Sequence, residues 1–390
     1  MNFLILGDGP EERAWAEALA GRPEHRVIAA APGFPDLTAS ADLEAALAVP
    51  GIEVVIVGGP IEARDEALRR TAASGFAAIC LHPPGDNADP YYQVALSREE
   101  TGAMVVPDLP GRLHPGVGAL REAANDVAMG PFRVLRIDAA GMAEDRDLLD
   151  AFSRWVDLAR IFLGEVESLT ALGDPPGESP SRGLTVQLRS AGGRAAELRL
   201  SADVAGAPAG QSGSGAQPAT MVLECERGSL RLEVEETWQG PARLTRSISG
   251  GTTTEELAAW DPRGAMLDTL ERAIAGEPAR PDLVDGTRAM ELTSAVARSL
   301  RRGRSVDLHY EEVSEANNFK TVMTSVGCMV LLGCLVALPA ALVGPALGIG
   351  QTIYIAYAIP PLLVAFALLQ VLRLAVKPPG PGGKAPREEA

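Results

Sequence analysis

Between Lys320 and Arg373 run 52 residues with no Asp, Glu, Lys, Arg or His. A helix needs about 20 apolar residues to cross a bilayer, so this stretch predicts two spans, at 322–343 and 352–372, joined by a turn at 344–351. Tyr354 and Tyr357 stand near one end, where interfacial aromatics collect. Pro339, Pro360 and Pro361 predict kinks, because neighbouring groups in a membrane satisfy the freed carbonyls. A buried soluble hairpin is the competing reading. Arg301, Arg302, Arg304 and Lys320 precede the stretch, Arg373, Lys377, Lys384 and Arg387 follow it, and the turn is uncharged. The positive-inside rule then predicts a two-span membrane protein with its N-terminal domain and C-terminal tail in the cytoplasm. The opening residues MNFLILG carry neither a basic region nor a long apolar run, so no signal peptide is expected.

The formal net charge is −16, and the last 18 residues hold four basic and two acidic groups, which leaves −18 on residues 1–320. Phosphate-backbone binding needs a basic surface, so a nucleic-acid partner is not expected. Cys328 and Cys334 fall in the first span, and Cys80 and Cys225 are far apart in sequence. Neither a disulfide framework nor zinc-ligand spacing is present. With four histidines in all (His25, His82, His114, His309), no metal centre is predicted either.

Residues 1–120 alternate short β-rich runs with helical patterns, which predicts a Rossmann-like parallel sheet with helical crossovers. Strands are expected at 2–6, 25–30, 52–57 and 77–81, and helices at 11–20, 40–48 (with Asp42 in its first turn) and 61–74. Residues 121–310 read as a second, α+β domain. Strands at 132–138, 184–189, 196–201, 221–226, 230–234 and 305–308 predict one antiparallel sheet, and helices at 265–275 and 286–300 would pack on it or back on the first domain. Residues 205–218, rich in Gly, Ala, Ser and Pro, are expected to form a mobile loop. A juxtamembrane linker (311–320), the two spans (321–373) and a disordered cytoplasmic tail (374–390) complete the expected order.

The first strand runs into Gly7-Asp8-Gly9-Pro10-Glu11-Glu12, the first two glycines of a G-x-G-x-x-G turn with Glu12 at the third. Two such glycines let the backbone approach a pyrophosphate whose charge the helix N-terminus stabilises. Asp8, Glu11 and Glu12 oppose that charge. Where an acidic side chain would hold a ribose, the second strand ends in Ala30-Ala31-Pro32-Gly33, and Asp36 stands late. Dinucleotide binding and a fold whose pocket has decayed both remain open on these residues.

The order of motifs resembles the Gfo/Idh/MocA family, the glucose-fructose oxidoreductases, inositol dehydrogenases and their relatives. Ile56-Val57-Gly58-Gly59-Pro60 is similar to the family's turn beside the nicotinamide, and residues 74–83 to the segment leading into its Glu-Lys-Pro. By that resemblance NAD or NADP would lie against Gly7, Gly9, Gly59, Pro60 and Pro83. The family's lysine corresponds to His82, its glutamate to Leu81, and Pro83 is retained. Residues 148–164 resemble the family's Asp-x-Gly-x-His-x-x-Asp helix. Asp150 and Asp157 match there, Phe152 replaces the glycine, and the catalytic histidine corresponds to Arg154.

The resemblance implies catalytic positions at His82, Arg154 and Asp157. Histidine can act as acid or base near neutral pH, whereas arginine holds an anion but cannot be a base. A hydrogen-bonded loop residue at 82 and a plain intrahelical salt bridge between Arg154 and Asp157 are the competing readings. The likeness covers roughly residues 1–310, where 265–270, 280–281, 285–286 and 305–308 also resemble the end of the family's second domain. Two functions follow. One is a membrane-anchored oxidoreductase acting on a sugar or polyol. The other is a catalytically degenerate sensor or scaffold at the membrane, since the usual Lys and His are absent. Transport is disfavoured, because the two spans carry no ionisable path. The family also suggests a homo-oligomer.

Overall fold

Every neighbouring pair of strands in the N-terminal sheet runs parallel, as the alternating sequence pattern predicts. The structure, a computed structural model, describes residues 1–30, 34, 38–39, 42–142, 147–177, 180–202 and 218–308. The elements β1 (Asn2–Leu6), α1 (Pro10–Ala20), β2 (Arg26–Ala30), β3 (Thr38–Ala39), α2 (Leu43–Leu47), β4 (Val54–Val57), α3 (Ile61–Ala73), β5 (Ala77–Leu81), α4 (Asp89–Thr101) and β6 (Val105–Asp108) build this sheet, in strand order β3-β2-β1-β4-β5-β6. The order steps outward from β1 in both directions, which opens a crevice at the carboxyl ends of β1 and β4.

Burial on both faces explains why these strands are apolar runs without alternation. Leu4 and Leu6 enter one core with Leu68, Ala72 and Tyr91, and Phe3 and Ile5 enter the other with Trp15 and Leu19. Asp42 caps α2 by accepting from the Ala45 N–H at 3.3 Å, the first-turn position expected for it.

The chain continues through a short 3-10 helix (Pro110–Leu113), α5 (Pro115–Ala123), β7 (Phe132–Met142), α6 (Leu148–Leu163), β8 (Val166–Asp174), β9 (Gly183–Ser190), β10 (Ala195–Ala202), β11 (Ala219–Cys225), β12 (Gly228–Val234), β13 (Ala242–Ile248), β14 (Gly251–Leu257), α7 (Pro262–Ile274), α8 (Leu283–Arg302) and β15 (Val306–Asp307). Nine strands form one sheet in the order β14-β13-β12-β11-β7-β10-β9-β8-β15. The antiparallel expectation is corrected here, because β7 and β10 pair in parallel. Helix α6 carries the chain back across the sheet so that β8 runs in the direction of β7, and two reversals then bring β10 beside β7. Apolar residues of α5, α6 and α8 cover one face of this sheet in the largest core.

Helices α7 and α8 bind the chain's end to its beginning. Met266, Leu267 and Leu270 of α7 pack against Trp15 and Leu19 of α1, and Arg22 Nη1 reaches Asp268 Oδ1 at 2.8 Å. On α8, Leu283 and Met290 join the core of the first sheet, while Leu292, Ala295 and Val296 join that of the second.

A buried ion network closes the seam. Arg112, just after β6, donates from Nε to Asp157 Oδ2 at 2.9 Å and lies 3.1 Å from Asp285 Oδ1. Arg160 stands 3.6 Å from both carboxylates, and Arg280 bonds Asp285 at 2.7 Å. Residues 321–373, expected as membrane spans, the tail at 374–390 and the 205–217 part of the expected loop lie outside the described residues. Among the described residues no helix is long and apolar enough to cross a membrane. Replacing Arg112 by Met would leave two buried carboxylates short of a cation. Its expected cost is about 3–5 kcal/mol, read as a lowered urea midpoint. A midpoint equal to that of wild type would show that the network adds nothing.

Candidate functional site

The C-terminal edge of the parallel sheet faces α6 across a cavity of about 340 Å³. Asp108 from the end of β6, Arg112, Arg154 and Trp155 from this side of α6, Trp238 from the β12–β13 loop and Arg263 from α7 line it. Two indoles form one wall, Trp155 and Trp238 having ring centroids 5.4 Å apart. Trp238 has a φ of 63°, a left-handed backbone that bulky residues rarely adopt. Its indole lies over Gly111, where an added Cβ would sit 2.7 Å from Cζ2, so that position is held to glycine by the indole. Behind Trp238, His114 packs at 5.3 Å and also meets Trp260 at 5.2 Å.

Of the three residues implied as catalytic, Arg154 and Asp157 line the cavity. The competing reading of an intrahelical salt bridge between Arg154 and Asp157 is not met. Arg154 is exposed and donates from Nε to the carbonyl of His82 at 2.9 Å, while Asp157 is fully buried and bound by Arg112. Burial pushes the Asp157 carboxyl up, against the pull of Arg112.

His82 is also fully buried, its ring stacked 5.9 Å from that of Tyr91 and its Nδ1 3.0 Å from the Tyr91 hydroxyl. Burial, with Arg154 and Arg64 adding to it, lowers its pKa to about 3. The imidazole is therefore neutral at physiological pH and set in the core, and the part of His82 that meets the site is its carbonyl oxygen.

Sequence reasoning missed Asp108. It is half-buried, accepts from Trp15 Nε1 at 3.4 Å, and burial raises its pKa to about 6 despite the opposing cations Arg154 and Arg263. A carboxyl that titrates near neutrality on a cavity wall can both take and give a proton. The signal available in the sequence was an acidic residue ending a strand of a parallel sheet, but β6 was not read as a strand.

The residues expected to hold a cofactor gather at the same edge. Arg64 of α3 ties two turns together by donating to the carbonyls of Gly59 at 2.7 Å, Pro83 at 2.6 Å and Leu81 at 3.3 Å. Pro60 precedes α3 as its N-cap. Gly7 has a φ of +101° and Gly59 of +86°, and with Gly9 they surround the side chain of Glu12. The stretch that would contact a ribose, from Ala31 to Gly33, lies outside the described residues.

No family model matches the chain. The D-xylose 1-dehydrogenase (NADP(+)) 2 of Haloferax volcanii is 25% identical over 320 residues, covering 75% of this chain and 92% of that protein. The inositol 2-dehydrogenase of Rhizobium meliloti is 24% identical over 188 residues, covering 42% of this chain and 56% of that protein. These relatives are sugar and inositol dehydrogenases of the Gfo/Idh/MocA type. A solved oxidoreductase from Agrobacterium radiobacter, in complex with NAD+, L-tartaric acid and magnesium, superposes with a TM-score of 0.65 at 16% identity, covering 79% of this chain and 98% of that one. That likeness shows a shared fold.

The xylose dehydrogenase is named for NADP(+) and the Agrobacterium structure holds NAD+, so the glycine turn can be tested for fit. Its backbone suits a diphosphate, with Gly7 and Gly59 in left-handed conformations and α1 pointing its N-terminus at the turn. The carboxylate of Glu12 already stands in that space. Entry of a diphosphate requires it to leave.

His82 and His114, the latter also lowered to about 4 by burial, hold folded pKa values below the ordinary 6.5. The unfolded chain therefore binds protons there that the native chain does not, so their contribution to stability is present above about pH 6.5 and is lost as pH falls. His82→Gln should shrink the loss of unfolding free energy between pH 7 and pH 5 by about 2 kcal/mol. Urea melts at the two pH values check this, and an unchanged loss would mean that His82 is not held neutral.

Proposed function

We propose that the chain is an NAD(P)-dependent oxidoreductase of the Gfo/Idh/MocA type that acts on a hydroxyl group of a sugar or polyol. The observation that carries this reading is Asp108, a carboxyl with a pKa near 6 facing a cavity beside a permanent cation. The dehydrogenases similar to this chain and the crevice at the sheet edge support it.

A bound nicotinamide would supply the hydride acceptor or donor. The chain's own residues divide the remaining work. Asp108 takes the hydroxyl proton in oxidation and returns it in reduction. Arg154, oriented by the His82 carbonyl, draws the substrate oxygen toward its guanidinium and stabilises negative charge as it develops there. Trp155 and Trp238 offer apolar faces to the C–H side of a sugar ring and exclude water. Asp157 serves through Arg112, whose position at the cavity floor it fixes.

Arg154 and Asp108 thus replace the single histidine of the family pattern, one as the binding group and the other as the proton carrier. Turnover on aldoses, polyols and sugar acids with NAD+ and NADP+, followed by nicotinamide absorbance, tests the reading. Asp108→Asn, nearly the same size but unable to take the proton, should reduce kcat by about 10²-fold or more with little change in substrate affinity. A rate within twofold of wild type would remove Asp108 from the chemistry.

One observation, the carboxylate of Glu12 in the glycine turn, favours the second reading of a membrane-tethered sensor or scaffold without turnover. Both readings include membrane attachment through residues 321–372, supported by the absence of charge over that stretch and the basic residues on each side. Full-length protein is expected to stay with the membrane fraction after alkaline carbonate washing, with its N-terminal domain open to protease only from the cytoplasmic side. Recovery in the wash would end the attachment reading.

A further inference from the structure

Glu12 behaves unlike its neighbour on the first turn of α1. Glu11 lines the cavity, its carboxylate 3.0 Å from Arg263 and its side chain 39% exposed, whereas Glu12 is 3% exposed. Its Oε1 accepts from the Gly59 N–H at 2.6 Å. An added Cβ on Gly7 would lie 2.8 Å from Oε1, one on Gly9 would lie 2.6 Å from Oε2, and one on Gly58 would overlap Oε1. The space that Gly9 and Gly58 leave open is therefore filled by this one carboxylate, and that at Gly7 is shared between it and the Gly59 backbone, whose nitrogen would lie 2.3 Å from an added Cβ.

A buried carboxylate is costly unless hydrogen-bonded or paired. Among the described residues, no Arg, Lys or His is recorded in an ion pair with Glu12. Its partners are a backbone N–H and the positive end of α1, the same kind of group that binds anionic ligands at such turns. The chain supplies an anion of its own to its anion site.

We infer that Glu12 is an intramolecular competitor for the diphosphate of a nicotinamide dinucleotide: it must swing out of the Gly7–Gly9–Gly59 hollow before the diphosphate enters. The inference rests on the cofactor reading given above and deepens it. When the competent state is only a fraction of the population, apparent affinity falls by that fraction. The resting protein then binds dinucleotide weakly, and loss of the Glu12 carboxylate strengthens binding. A ligand without a diphosphate, such as adenosine, gains nothing from that loss.

The test is titration of full-length wild type, Glu12→Ala and Glu12→Ser with NADH, NADPH, ADP-ribose and adenosine, followed by calorimetry. Both variants empty the hollow, and Ser keeps a small polar group for the Gly59 N–H, so that a folding defect in one variant leaves the other to report. Thermal midpoints are recorded for each. Expected is a dissociation constant for NADH or NADPH and for ADP-ribose at least tenfold lower in the variants, equivalent to about 1.4 kcal/mol, with adenosine unchanged. Equal dinucleotide affinity in wild type and folded variants overturns the competitor role and leaves the cofactor reading standing. Absence of binding at millimolar dinucleotide in all three proteins overturns both. A gain for adenosine equal to that for ADP-ribose also overturns the inference, since the effect would not be directed at the diphosphate.

Discussion

The bond between Arg112 and the two carboxylates Asp157 and Asp285 holds the rest of the site in register. Arg112 follows the last strand of the parallel sheet, Asp157 belongs to the helix that covers the second sheet, and Asp285 opens the helix that spans both cores. With both carboxylates almost wholly buried, the arrangement of charges admits little drift, because a displaced cation would strand them in a poorly polarisable surrounding. Asp285 has a second arginine and a backbone N–H as partners. Its carboxyl is pushed up by burial, but Arg112 and Arg280 overcome this and leave it below the usual range. The cavity opens beside this fixed point, and Asp108 and Arg154 inherit their spacing from it.

Permanent charge in place of a titrating one changes how the site has to work. An arginine at position 154 puts a permanent cation on the cavity side of α6, and the imidazole at 82 is sealed against Tyr91. The cavity-lining carboxyl that burial raises to about 6 is Asp108, on the opposite wall. On the proposed function the proton would enter the reaction from the sheet side, while the helix side holds a fixed positive charge at Arg154.

Much of the first sheet was legible because buried parallel strands write themselves as short apolar runs: β1 at Asn2–Leu6 and β5 at Ala77–Leu81 fall where the sequence puts them. Helix α6 was visible from its motif. The parallel pairing of β7 with β10 was not, since direction depends on the crossover between them and not on either strand's own residues. Strand β14, Gly251–Leu257, is exposed along nearly its whole length and carries no apolar alternation to read. Asp108 escaped because the short β6, VVPD, contains a proline, and because its raised pKa comes from enclosure by distant elements. At His82 an acid–base role and a hydrogen-bonded loop position both stayed open, because sequence spacing says nothing of depth. Glu12 was recognised as opposing a diphosphate, but its inward turn onto Gly59 depends on a segment 47 residues away.

The return of α7 to the first sheet has a consequence for how the molecule is made. Trp15 and Leu19 of α1 share the core of Phe3 and Ile5 with Met266, Leu267 and Leu270, so this face of the sheet is only partly covered until residues near 270 leave the ribosome. At roughly 5–20 residues per second, the interval between synthesis of β6 and of α7 is on the order of ten to thirty seconds. During that time a wet apolar surface is open to chaperones and to neighbouring nascent chains. The early half of the protein is thus born dependent on its late half.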